Sequence, residues 1–423
     1  MRKALVNIAR LLLALTFILS GFVKAVDPLG TQYKINDYLA ALHLHELVPD
    51  FVTLAASVLL SAGEFVIGIC LLFAIRRRLV SRIALGLMVV MTLITLWLAI
   101  ADPISDCGCF GDALVLTNWQ TFWKNVVLLL FAGIICWRPL DMARMISHTN
   151  QWIVLNYAAL FILFIAGYCL YDLPMFDFRP YHVGANIQQG MEIPEGAPQP
   201  QFETLFIMEK DGQRQTFTVD NYPDSTWTFI DSETKQTAEG YVPPIHDFSI
   251  TTEEDDITYD VLEKEGYTFL LISPHLEKAD DSYFDRINQV YEYCQDNGYP
   301  FYCLTASTDK AKSRWRDMTG AEYPFCATDE ITLKTMIRSN PGLMLLQQGT
   351  VIRKWSHNRL PNEQQLTQRL EESELGQMPT DSVPGKIAKL LLWFVLPLML
   401  LTIADRLWAW TKWLRRKKVK IEK

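Results

Sequence analysis

Positive charge is scarce in this sequence of 423 residues, where 39 Lys and Arg stand against 47 Asp and Glu for a formal net charge of −8. A chain without a basic surplus lacks the footprint of a nucleic-acid binder, which clusters cations against phosphates. Histidine is sparse too, seven in all. None lies near Cys107 and Cys109, the two closest-spaced cysteines, and two thiolates alone cannot complete a metal site. No metal is therefore expected. What the sequence has in quantity is apolar length: half of its residues are hydrophobic.

That apolar content is unevenly spread. Residues 1–173 and 387–410 read as membrane, while 174–385 holds most of the Asp, Glu, Gln, Pro and Thr. A helix needs about 20 apolar residues to cross the hydrocarbon layer, where no water satisfies free backbone groups. Candidate spans lie near 4–26, 51–75, 79–100, 119–137, 152–173 and 387–408. Arg2, Lys3, Arg76–Arg78, Arg82, Arg138, Arg144 and the tail 411–423 then fall on one side, while segments 27–50 and 101–118 hold Lys34 alone between them. By the positive-inside rule both termini are cytoplasmic and 174–385 is extracytoplasmic. The first span resembles a signal peptide, but Arg10 and the poor site Val23-Lys24-Ala25 favour an uncleaved anchor. Trp119, Trp123, Trp152, Trp408, Trp410 and Trp413 fall at span ends, where indole rings favour the interface. The lipid bilayer is thus the first expected partner, and nucleic acid is not one.

The most informative short stretch is Asp106-Cys107-Gly108-Cys109-Phe110-Gly111-Asp112, between the third and fourth spans. Cysteines one residue apart can close a small, strained disulfide suited to exchange, or sit in a tight structural turn. Glu64 lies mid-span, where an ionisable group is costly and a functional candidate by default. It serves as a proton relay, or pairs across the bundle with Lys24 or Lys124. Cys70, Cys136 and Cys169 lie in or beside spans and are read as packing residues.

Residues 1–140 resemble the DoxX superfamily, in its MauE-like branch. The resemblance rests on Ser20-Gly21-Phe22-Val23-Lys24, Glu64, the Cys-Gly-Cys loop and Trp119-Gln120-Thr121-Phe122-Trp123-Lys124-Asn125, in that order. It implies a four-helix membrane domain tied to extracytoplasmic redox or maturation chemistry. MauE-like proteins assist production of a disulfide-rich dehydrogenase subunit in methylamine utilisation, and DoxX-type relatives are linked to quinone reduction. A membrane quinone is thus the cofactor the resemblance implies, with Cys107, Cys109 and Glu64 as its catalytic residues.

In the polar half, Phe202–Met208 and Arg214–Val219 read as a hairpin turning at Asp211-Gly212, and Trp227–Asp231 as a third strand. This makes 174–243 a small β-rich segment. Over 244–376 the pattern is strand at 267–272, helix at 281–297, strand at 301–306, helices at 310–319 and 329–339, then a hairpin of 342–346 and 350–355. A last helix is expected at 360–375. The order is thioredoxin-like, and Ile245–Ile250 is similar to the lead-in of TlpA-type proteins. Asn340-Pro341-Gly342 stands where thioredoxins place a cis-proline. The family's Cys-x-x-Cys position holds Ser273-Pro274-His275-Leu276-Glu277-Lys278, however, which removes thiol exchange there. Pro341 and His275 remain as partner-binding candidates. Cys303 and Cys326 could be neighbours, although sequence does not settle pairing.

The fold class expected is an all-α polytopic membrane bundle of about six helices carrying an extracytoplasmic α/β thioredoxin-like domain. The domains run 1–140, 141–173 (a fifth span with its linker), 174–243, 244–376, 387–410 (a sixth span) and 411–423. The expected function is a membrane-bound accessory of thiol–disulfide or electron-transfer chemistry acting on a protein client or redox partner. The competing reading is a non-enzymatic scaffold whose silent thioredoxin-like domain grips partners. A transporter fits less well, since Glu64 is nearly alone as a midplane polar group.

Overall fold

The computed structural model describes residues 2–421 other than 105–106, 200, 211–212, 219–220, 222, 224–225, 239 and 381. Six helices are long and apolar enough to cross a membrane among these residues, making this a multi-pass membrane protein. The first half contains α1 (Arg2–Val26), α2 (Pro28–Ala41), α3 (Asp50–Phe73), α4 (Arg77–Ala101), α5 (Asn118–Trp137) and α6 (Gln151–Tyr171). All but α2 are candidate spans. Their outward faces are apolar, with Leu59, Leu93, Leu130 and Leu160 each more than 60% exposed. Such a surface suits hydrocarbon, where no water opposes it.

Close packing of α1 on α3 depends on small residues. A Cβ on Gly21 would collide with the Phe65 backbone nitrogen, and one on Gly68 would stand 2.7 Å from Ile18 Cγ1. Ser57 and Ser61 face the same seam, fully buried. This is the small-residue route by which membrane helices approach one another. The helix α2 was not foreseen, since 27–50 read only as a segment poor in charge. It begins with Asp27 accepting from the Gly30 N–H and with Pro28 in its first turn, a start signal by cap and proline.

The polar half opens with α7 (Ile187–Met191) and an antiparallel sheet of β1 (Gln201–Lys210), β2 (Gln213–Thr218) and β3 (Thr228–Ala238), in the order β2-β1-β3. The expected hairpin is therefore present, while its turn at Asp211-Gly212 lies outside the described residues. Next come α8 (Thr258–Leu262), β4 (Tyr267–Ile272), α9 (Phe284–Asn297), β5 (Phe301–Thr305), α10 (Asp309–Thr319), β6 (Phe325–Ala327), α11 (Glu330–Met336), β7 (Gly342–Gln347) and β8 (Thr350–Ser356). Their sheet is mixed, ordered β6-β5-β4-β7-β8, with β4 parallel to β5 and antiparallel to β7. Every residue of β4 is buried. Phe269 and Leu271 join one core with Trp315 and Ile287, while Leu270 and Ile272 join the other with Phe248 and Leu333. Alternation along the strand fills two layers at once.

Several expectations need correction. The short strand β6 was missed, and the helices foreseen at 281–297 and 329–339 are shorter than expected. No helix forms over 360–375, which holds only 3-10 turns at Glu363–Gln365 and Glu374–Gly376. Its backbone is claimed by side chains instead: Tyr293 donates to Gln368 O, Tyr299 accepts from Leu370 N, and Tyr267 donates to Gly376 O. Those bonds replace the helical ladder. Cys303 and Cys326 are free and lie in opposite cores of the sheet, so they do not pair.

The last helix, α12 (Val383–Ile421), runs well beyond the expected 387–410. It rests against α6 through Phe394, whose ring lies 4.4 Å from Phe161 and 5.7 Å from Tyr157. Further along, Asp405 accepts from the Ser147 N–H at 2.8 Å and from Asn150 Nδ2 at 2.7 Å.

Candidate thiol site at one end of the bundle

The tight seam between α1 and α3 brings Lys24 and Glu64 together. Lys24 Nζ lies 2.8 Å from both Glu64 carboxylate oxygens, and both residues are buried. Of the two lysines considered from sequence, Lys24 is the partner; Lys124 instead sits 4.4 Å over the Phe110 ring. Ser20 accepts from Lys24 at 3.2 Å, and its hydroxyl reaches Glu64 Oε2 and Cys109 O, each at 2.8 Å. The buried ion pair is thereby wired to the Cys-Gly-Cys loop. Both charges have partners, as burial demands.

The loop turns on Gly108, whose φ of +63° is costly for any residue with a Cβ. Tyr38 on α2 donates to Cys107 O at 2.8 Å and steadies it. The two thiols are not bonded to each other, Cys107 being buried and Cys109 half-buried. A hydrogen bond from Cys107 is the main reason that the Cys109 thiol is pushed down, with Lys124 and Lys24 assisting and burial and Glu64 opposing. The same bond, together with burial, drives the Cys107 thiol far up. The shared hydrogen bond thus favours charge on Cys109 over Cys107.

The sign of the pH dependence follows. Alkylation requires thiolate, so Cys109 should reach its half-maximal rate at a lower pH than an ordinary thiol, and Cys107 only well above that pH. Cys107→Ala removes the largest cause and should move the midpoint up by more than a unit. Peptide-resolved iodoacetamide rates measured across pH test this, and an unmoved midpoint would refute the shared hydrogen bond.

Two cavities flank the loop. One, of about 320 Å³, reaches Cys107, Gly108 and Cys109 and is lined chiefly by apolar groups including Ile35, Leu42, Leu60, Met91, Ile94 and Trp97. The other, of about 460 Å³, lies where the polar half meets the bundle, between Gly108, Asp112, Lys34, Arg179 and Arg338. Arg338, just beyond α11, is buried and donates to Asp27 at 2.9 Å and Asp112 at 3.3 Å. Burial works against its charge, yet the two carboxylates hold its pKa above the ordinary arginine value. Sequence reasoning missed Arg338, and no local signal marks it.

The other two candidates meet elsewhere, in the sheet domain. The Asn340–Pro341 bond is cis and Pro341 is buried. Asn340 Nδ2 donates to His275 O at 2.8 Å, and Ser273 donates to Asn340 at 2.7 Å. His275 Nε2 lies 2.9 Å from Glu330, which also pairs with Lys334. Lys334 and Arg338 both face the Tyr33 ring on α2. The structure therefore gathers His275 with Pro341, and Cys107 and Cys109 with Glu64, as two clusters joined through Lys334 and Arg338. Among the described residues no group of His, Cys, Asp and Glu could hold a metal ion.

Comparison with known proteins gives two family matches. Residues 202–239, which hold most of the three-stranded sheet, match a domain of unknown function (DUF8463). No curated protein and no solved structure matches the chain. Residues 2–138, which hold the Lys24–Glu64 pair and both cysteines of the loop, match the family described as methylamine utilisation protein MauE, and form a MauE-like membrane domain.

Proposed function

We propose that this protein is a membrane-bound accessory of extracytoplasmic thiol–disulfide chemistry, with Cys107 and Cys109 as its exchanging pair. The observation that carries the reading is a pair of cysteines one residue apart whose loop is tied, through Ser20, to the buried Lys24–Glu64 pair. Both termini are placed in the cytoplasm, and residues 174–385 on the periplasmic face of a bacterial inner membrane. Contact of Arg338 with Asp112 supports a shared side for the loop and the polar half. The strand order, and a buried cis-proline beside the loop at 273–278, support a thioredoxin-like reading of residues 244–376. The MauE match supports service to a redox enzyme, of the kind that methylamine utilisation requires.

In the oxidised pair, a client thiolate attacks the Cys107 sulfur and the Cys107–Cys109 bond breaks. Cys109 leaves as thiolate, which its low pKa favours. The client's second thiolate then attacks the client sulfur of the mixed disulfide and releases Cys107, which takes up a proton. Two electrons pass from client to pair; of the two protons that the client thiols give up, one ends on Cys107 and the other goes to solvent, and the client gains one disulfide. The apolar cavity beside Cys107 and Cys109 has the size and lining expected of a small-molecule site. A membrane quinone bound there would supply an acceptor for two electrons and two protons. Glu64, through Ser20, stands in hydrogen-bond reach of the loop and serves as its proton relay.

A second reading, the scaffold, is favoured by the closed network around His275 and Asn340, which meets its hydrogen-bonding needs internally. The two readings separate in cells carrying Cys107→Ser with Cys109→Ser. Exported client proteins should then accumulate free thiols, as read by thiol trapping. Unchanged disulfide content would sink the exchange reading and leave the scaffold.

A further inference from the structure

At the end of the bundle opposite the Cys-Gly-Cys loop, a cavity of about 460 Å³ is lined by Arg76, Arg77, Arg78, Arg144, His148 and Gln151, among others. No carboxylate lines it. The nearby acids are engaged elsewhere, Asp141 by Arg2 at 3.3 Å and Asp405 by Ser147 and Asn150. The N-terminus of α4 opens at this cavity with no acidic residue in its first turn and no side-chain cap. Three arginines therefore stand at the positive end of a helix dipole, the end that favours anions. Arg77 is fixed by donating to Leu140 O and Met142 O, each at 2.8 Å, which holds the arginine turn against the segment that carries Arg144.

Gln151 gives an independent sign. Its residue is only 7% exposed, it lines the cavity, and its side-chain amide makes no hydrogen bond among the described residues. The amide itself is open to the cavity rather than sealed from solvent, and is free to donate to an occupant there. A phosphate would accept from it while neutralising the arginines in forked hydrogen bonds. We infer that this cavity is a phosphate-binding site, filled by the phosphodiester of an anionic phospholipid headgroup or by a soluble phosphoester. Both sources present the same oxygens at the level where α4 and α6 begin.

The test uses the full chain in nanodiscs of phosphatidylcholine, with or without phosphatidylglycerol. Native mass spectrometry reads the lipid retained, and inorganic phosphate is titrated against thermal unfolding. Retention of phosphatidylglycerol over phosphatidylcholine by about tenfold, reduced about tenfold in Arg144→Gln and Gln151→Leu but kept in Arg82→Gln, establishes a lipid headgroup. Stabilisation by inorganic phosphate in phosphatidylcholine discs, lost in the same variants, establishes a soluble phosphoester. Arg144 and His148 are exposed, so His148→Gln repeats the reading if Gln151→Leu fails to fold. Absence of both effects in the wild type, or equal effects in wild type and Arg144→Gln, would overturn the site and leave the arginines as topology signals alone.

Discussion

Glu64→Leu should cost this protein about 3–5 kcal/mol of stability, the penalty for leaving one member of a buried ion pair alone. Lys24 would keep its position in the seam between α1 and α3 with only Ser20 to accept from it. The double variant Lys24→Met with Glu64→Leu removes both charges and should recover most of the loss, since apolar side chains can replace a buried pair at little cost. Thermal unfolding in one detergent measures all three proteins. A double variant no better than the single would mean that the seam needs the pair for its shape. The two residues also act on Cys109 in opposite directions, because Lys24 lowers its pKa and Glu64 raises it. Lys24→Met should therefore slow alkylation in mildly acidic solution. Glu64→Gln should speed it. A purely structural pair would move neither rate.

The second large effect is expected at Arg338→Met. This guanidinium is buried, and loss of a buried hydrogen-bonded charge costs about 2–5 kcal/mol. The lower figure applies here, because the Asp112 side chain is 42% exposed and water can compensate it. The Lys278–Asp50 pair also crosses between the halves, yet both side chains are more than half exposed and add little. The expected outcome is a loosened contact between the sheet domain and the bundle, with Cys107 and Cys109 open to a bulky maleimide that barely labels the wild type. Cleavage by protease between α6 and α12 should accelerate in parallel. Equal labelling of both proteins would show that the sheet domain does not cover the loop.

The membrane half was largely legible from sequence, since apolar runs of about 20 residues have few alternative fates. Glu64 drew notice because charge in such a run needs a reason, and Lys24 was one of the two partners considered. Arg338 gave no such warning. It lies 311 residues from Asp27 and 226 from Asp112, and contacts at that range leave no local pattern. The failure at 360–375 has a different origin, because three tyrosines from the sheet domain take over that backbone. In α2 a signal was present and went unread: Asp27 followed by Pro28 is a helix start. Its face is weakly apolar, with only Pro28 and Gln32 buried, so periodicity did not point to it.

The placement of the polar half between two membrane helices has a consequence for its encounters. Its chain leaves α6 at Tyr171 and enters α12 at Val383, and Phe394 and Asp405 hold α12 to the rest of the bundle. A domain fastened at both ends cannot drift away when its contacts open. Each return to the Cys-Gly-Cys loop is an intramolecular event, with an effective concentration on the order of millimolar for a short tether. On the proposed reading, a client in dilute solution would compete against that figure, and would gain the loop by binding the sheet domain and the bundle together or while the Arg338 contacts are open.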